Sequence, residues 1–140
     1  MADSSTPSLV KAGQKLAHAT AENSPLVAGR REFFKYRDLG VNAASSGQIK
    51  AQVMTAIKGM TEPTGWHYHK CDAQFVYVMK GGVDLEFEDG NRIRLKAGES
   101  LYIPGGMRHN EFGTSDDLEI LEVVTPGEMG TVPCDPPSAA

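Results

Sequence analysis

Two of the four histidines stand two residues apart, in Gly65-Trp66-His67-Tyr68-His69. In an extended segment both imidazoles face the same side, because side chains alternate along a strand with period two. Two neutral imidazoles on one face offer lone pairs to a shared divalent cation. The same spacing also suits two solvated or packed rings, so further donors must converge on the pair. Gln74 follows His69 by five residues, where a tight return brings an amide oxygen back toward it. His109 follows the rigid turn Pro104-Gly105-Gly106. Taken singly, Gln74 reads as a hydrogen-bonded polar residue near a strand start and His109 as a loop imidazole. A barrel is one fold that could converge all four.

The elements that must position these groups read as strands. Ile49, Ala51, Val53, Thr55 and Ile57 alternate with Lys50, Gln52 and Lys58, the pattern of a half-buried strand with the apolar set inward. Phe75 to Met79 is continuously apolar. Val83, Leu85 and Phe87 alternate with Asp84, Glu86 and Glu88, and Asp89-Gly90-Asn91 supplies turn chemistry before Ile93 and Leu95, which together predict a hairpin. Leu101 and Ile103 form a short strand stopped by Pro104-Gly105-Gly106, and Leu118 to Val124 gives another. No stretch has the helical period and length of a βαβ crossover, so the chain is expected to be all-β and antiparallel, a sandwich or barrel. Three parts are expected: an arm over residues 1–30 with one or two helical turns suggested by Leu9, Val10 and Leu16, a barrel over 31–125, and an irregular Pro-rich tail over 126–140.

His67-x-His69, four residues, Gln74, six residues, Gly81 resembles the first motif of the cupins, with Gln in place of its usual Glu. Gly98, five residues, Pro104-x-Gly106, two residues, His109 resembles their second motif in register, departing at its final Asn, where Gly113 stands. The resemblance is to small single-domain cupins and covers roughly residues 48–125. It implies a double-stranded β-helix (jelly-roll) barrel with one divalent metal per chain held by His67, His69, Gln74 and His109. Similar cupins imply Fe(II) first, with Mn, Ni, Zn, Co or Cu as alternatives, and a homodimer. The aromatic and charged run Arg30-Arg31-Glu32-Phe33-Phe34-Lys35-Tyr36 is placed to cap a sheet of its own or of a neighbour. Three imidazoles and an amide leave the full divalent charge uncompensated, so the site is expected to welcome a small anionic ligand. An alternative is that Gln74 swings away and leaves three histidines.

Around these ligands, Tyr68, Tyr77, Tyr102, Phe87, Trp66, Met54, Met79 and Met107 are candidates for an apolar lining or simply for core. Tyr102, Glu99 and Arg108 are the candidate catalytic side chains, as proton donors or an anion clamp. Cys71 is a soft alternative ligand.

The formal net charge of −4, from 14 Lys+Arg against 18 Asp+Glu spread along the chain, provides no basic face for nucleic acid, and no helix-turn-helix pattern is present. Two cysteines make no disulfide framework. No apolar run approaches the roughly 20 residues of a membrane span, and Met1 to Pro7 lacks the pattern of a signal peptide, so a cytoplasmic location is expected. Three functions suit the site. The first is a mononuclear non-haem dioxygenase acting on a small enolisable or dicarbonyl substrate, which such a site would resemble. The second is a non-redox isomerase or lyase acting on a small carbohydrate-derived acid, as in similar pectin-degradation cupins. The third is a non-catalytic small-molecule binder.

Overall fold

The computed structural model describes residues 6–138. Among the described residues, eleven strands and one short helix follow one another as β1 (Val27–Ala28), β2 (Phe34–Asp38), α1 (Val41–Ala44), β3 (Lys50–Ala56), β4 (His67–Lys70), β5 (Ala73–Lys80), β6 (Gly82–Phe87), β7 (Arg92–Lys96), β8 (Ser100–Pro104), β9 (His109–Thr114), β10 (Glu119–Thr125) and β11 (Gly130–Pro133). They form two antiparallel sheets, a six-stranded one in the order β1-β2-β3-β10-β5-β8 and a five-stranded one in the order β11-β4-β9-β6-β7. The chain is therefore the all-β jelly-roll barrel that its periodicity and motifs predict.

The hairpin of β6 and β7 forms where expected. Asp89 Oδ1 accepts the Asn91 amide at 3.0 Å and Gly90 takes the positive φ of 90° that closes the turn. Val83, Leu85 and Phe87 then point inward, while Asp84 faces Arg94 across the pair at 2.8 Å on the outside. The core between the sheets contains Val76, Val78, Leu85, Leu95, Ile103, Leu118 and Ile120. Burial of each such side chain stabilises the fold by about 1.5–3 kcal/mol.

Four expectations are corrected. On β3 the inward face is the other one: Gln52 and Met54 are buried, whereas Ile49 and Ile57 are exposed. The polar Gln52 occupies an interior position because its amide has a buried partner, a pairing that period-two reading cannot detect. On β5, Gln74, Val76 and Val78 point inward, leaving Phe75, Tyr77 and Met79 half exposed on the outer face. Tyr77 and Met79 therefore face away from the interior. In the segment read as irregular, Gly130–Pro133 pairs along its whole length with β4, because an edge strand needs only backbone groups to complete the ladder. The described part of the N-terminal arm contains turns and β1 and no helix, with Leu9 and Leu16 almost fully exposed. No helix among the described residues is long and apolar enough to cross a membrane.

Candidate metal centre

β4 and β9 bring the histidines together. His67 and His69 share the inward face of β4, and His67 pairs directly with His109 across the β4–β9 ladder. All three are buried, with ring centroids 4.5 to 5.1 Å apart. One donor nitrogen from each lies within 4.8 Å of the others. Phe87 stacks on His109 at 5.9 Å and forms an apolar wall behind it. The loop entering β4 turns at Gly65, whose φ of +84° a side chain would strain. At the start of β9, a Cβ on Gly105 would collide with the Cys71 carbonyl, so the turn before His109 can sit against the β4–β5 corner only as glycine.

The second nitrogen of each ring is already occupied. His67 Nδ1 meets the Gly65 carbonyl at 2.7 Å, and His109 Nδ1 meets the Met107 carbonyl at 2.9 Å. Carbonyls only accept, so both rings carry their proton on Nδ1 and present an Nε2 lone pair. His69 Nδ1 meets the Thr131 hydroxyl of β11 at 3.1 Å, and the same hydroxyl accepts from Arg30 Nη1 at 3.0 Å. Burial, reinforced by the neighbouring His109 and His67, pushes His69 down to about 3. Burial also holds His67 below the ordinary imidazole range. Neutral rings with free Nε2 lone pairs are the state a metal needs.

Gln74 is buried on β5, where Nε2 donates to Glu122 Oε2 at 2.6 Å. Its Oε1 and the Nε2 of His109 are buried without a hydrogen-bond partner. Such atoms are costly to leave unsatisfied, and a bound cation is one partner that would satisfy each. The three histidines thus fit a divalent ion on donor chemistry, and the Nε2 of His109 does so as an orphaned atom too.

Two carboxylates near this site are not among the residues singled out from the sequence. Glu122, on β10, is buried and accepts from Gln52 Nε2 at 2.8 Å as well as from Gln74. Glu111 lies two residues beyond His109 on β9, and its Oε2 is 3.8 Å from His67 Nε2. Burial lowers the His67 pKa, while the neighbouring Glu111 carboxylate pulls it the other way. Gln74, Glu111 and Glu122 also line a small interior cavity of about 30 Å³, walled by Phe34, Met54, Val76 and Leu85 among others.

The sequence-derived catalytic candidates are engaged elsewhere. Tyr102 is 66% exposed on the outer face of β8, opposite Phe75. Glu99 Oε1 accepts from the Lys96 amide at 2.7 Å and closes a turn. The Arg108 guanidinium pairs with Glu88 at 3.2 Å. None of the three bonds to a histidine. Cys71 stands outside the histidine group, and burial raises its thiol pKa, which disfavours the thiolate a metal would need. Among the lining candidates, Trp66 instead faces an outer groove with Glu86 to Arg92 and the Pro136-Pro137 tail.

The chain belongs to the cupin domain family, whose model matches residues 53–124. Among curated proteins, polyketide synthase CurC from Streptomyces cyaneus is 32% identical over 74 residues, 53% of this chain and 45% of that protein. The matched stretch thus spans less than half of the relative's length. Among solved structures, the polyketide cyclase RemF from Streptomyces resistomycificus superposes with a TM-score of 0.66 at 18% identity, covering 85% of each chain. KdgF from a Halomonas species gives 0.65 at 17% identity, covering 80% of this chain and 94% of its own. At these identities the structures share the fold.

Proposed function

We propose that this chain is a metal-dependent, non-redox enzyme that moves a proton on a small enolisable carbonyl substrate, the elementary step of cyclisation, isomerisation and dehydration. The observation that carries the reading is Glu111, a carboxylate whose Oε2 is 3.8 Å from His67 Nε2 and which lines the small interior cavity together with Gln74. The ligand set proposed is His67, His69, His109 and the Gln74 oxygen. A divalent ion bound there supplies Lewis acidity, polarising a carbonyl oxygen and acidifying the neighbouring C–H.

Glu111 is the general base that takes that proton and the acid that returns it. Its backbone is held on both sides by Thr64, whose amide donates to the Glu111 carbonyl at 2.9 Å and whose hydroxyl accepts the Glu111 amide at 3.2 Å. Phe34, Met54, Val76 and Leu85 make the wall of the cavity beside Glu111 apolar. A β-dicarbonyl unit, as repeated along polyketide chains, suits this arrangement, and the names of CurC and RemF are consistent with it. A charge-neutral ligand set also suits the dioxygenase reading, with iron as the metal, and oxygen dependence separates the two.

The test uses tag-free protein, elemental analysis, and deuterium uptake at the α-carbon of a 3-oxo thioester in D2O, followed by mass spectrometry. Exchange above the uncatalysed rate under anaerobic conditions is expected. Glu111→Gln should lower it about 10²–10⁴-fold with metal content unchanged. Turnover that requires oxygen and consumes it stoichiometrically refutes the non-redox reading in favour of the dioxygenase. A homodimer is proposed to form through the outer face of the six-stranded sheet, where Phe75, Tyr77, Met79 and Tyr102 are exposed together. Sedimentation of Tyr77→Lys against the parent chain checks it.

A further inference from the structure

We infer that Glu122 is a positioning residue of the metal centre: it turns the Gln74 amide so that only the oxygen is left as a ligand, and it supplies from behind that amide a negative charge the four donors lack. The inference rests on the metal-binding reading of the three histidines and Gln74.

An amide side chain has a donor end and an acceptor end that differ little in shape, so its neighbours decide which end faces a site. Gln74 Nε2 lies 2.6 Å from an oxygen of Glu122, which in the ionised form accepts and does not donate. A flipped amide would press its oxygen against that carboxylate, oxygen to oxygen, in a buried place. Glu122 is therefore a one-way lock. It cannot readily turn aside, because its other oxygen is held at 2.8 Å by Gln52, its direct partner across the β3–β10 ladder. Gln52, Glu122 and Gln74 make a row across three adjacent strands, all pointing inward. At the end of the row, Gln74 Oε1 is buried with nothing to bond.

The charge of Glu122 points the same way. Its hydrogen-bond donors are two neutral amides, and it forms no salt bridge among the described residues. A buried carboxylate with only neutral partners is expensive to hold in a low-dielectric interior. A cation one amide away relieves that cost and gains from it in return. The expectation of an uncompensated divalent charge, drawn from the ligands alone, thus changes once the residue behind Gln74 is included. One unit of the charge is met from within the sheet, and one remains for a substrate oxygen.

Co(II) is the probe, added to metal-stripped protein and followed by visible absorption, with competition by a chelator to obtain the affinity. Glu122→Gln changes no volume but allows either end of the Gln74 amide to face the site. It should weaken Co(II) binding about 10–100-fold, as for other residues that orient metal ligands. Gln74→Glu alone sets two carboxylates at hydrogen-bond distance and should not bind more tightly than the parent. The exchange Gln74→Glu/Glu122→Gln restores one carboxylate and one amide, with the charge now on the ligand, and should bind within a fewfold of the parent or more tightly. A purely structural role would lower the melting temperature of Glu122→Gln while leaving the Co(II) spectrum and affinity of the folded protein unchanged, and that result overturns the inference. If Glu122→Gln does not fold, the exchange variant decides: parental affinity supports the inference, and a tenfold or greater loss overturns it. Failure of the parent chain to bind Co(II) overturns the metal reading itself, whereas parental binding with Glu122→Gln unaffected overturns only the role of Glu122.

Discussion

In the metal-free protein, His69 sets a pH dependence of stability that can be worked out beforehand. Its ring is buried among two other imidazoles and takes up a proton only at about 3 in the folded chain, against 6.5 in an unperturbed one. Between these values the unfolded chain holds a proton that the folded chain refuses, so stability falls as pH falls, by about 1.36 kcal/mol per pH unit. Above 6.5 both states are neutral at this ring and it contributes no slope. From pH 7 to pH 5, His69 alone should therefore remove about 2 kcal/mol, since the slope sets in only below 6.5. His67, depressed by burial as well, acts in the same direction. Urea denaturation followed by far-ultraviolet circular dichroism, in the presence of a chelator at pH 7 and pH 5, measures the total. His69→Gln isolates the share of this residue, and the stability lost between the two pH values should shrink by about 2 kcal/mol. A loss between pH 7 and pH 5 that is the same in both proteins would refute the account of a buried, neutral His69.

Other perturbations probe the frame around the site. Leu118→Ala, at a position only 1% exposed in the middle of the core, should cost about 2–5 kcal/mol in urea unfolding while leaving metal stoichiometry near that of the parent. Gly105→Ala places a methyl group on the Cys71 carbonyl and should displace the turn that delivers His109, so Co(II) stoichiometry should drop even in protein that still shows a folded spectrum. Thr131→Val removes the hydroxyl facing His69 Nδ1 and should weaken Co(II) binding about tenfold, with melting temperature little changed.

Much of the barrel could be read from apolar periodicity. The strands around Val76, Leu85, Ile103 and Ile120 and the Asp89-Gly90-Asn91 hairpin announce themselves within a few residues, since burial on one face of a strand is a local signal. The two histidines of β4 were legible for the same reason, as a period-two pair. The residues that were missed depend on partners far away in the chain. Glu122 sits between Leu121 and Val123 like any outward charge, and its inward position follows from amides 70 and 48 residues distant. Gln52 inverts the face of β3 through that same contact. Glu111 carried a usable signal, because it shares the face of His109 two residues on, once His109 is placed on a strand instead of in a loop. Tyr102, Glu99 and Arg108 were suggested by nearness along the chain. Strand parity turns Tyr102 outward beside the inward Ile103, and backbone and ion-pair contacts hold the other two.

The short strand β11 lies beyond the matched residues 53–124, yet its Thr131 holds the ring of His69. Electron donation from that imidazole is therefore adjustable from a piece of chain that contributes nothing to the barrel's core. Through Arg30, which meets the same hydroxyl, the segment ahead of the barrel has a hand on it too. Grafting the two flanking segments of one such barrel onto another would accordingly change the setting of this imidazole while the three histidines themselves stay the same, a route by which one histidine group can be retuned from outside the barrel.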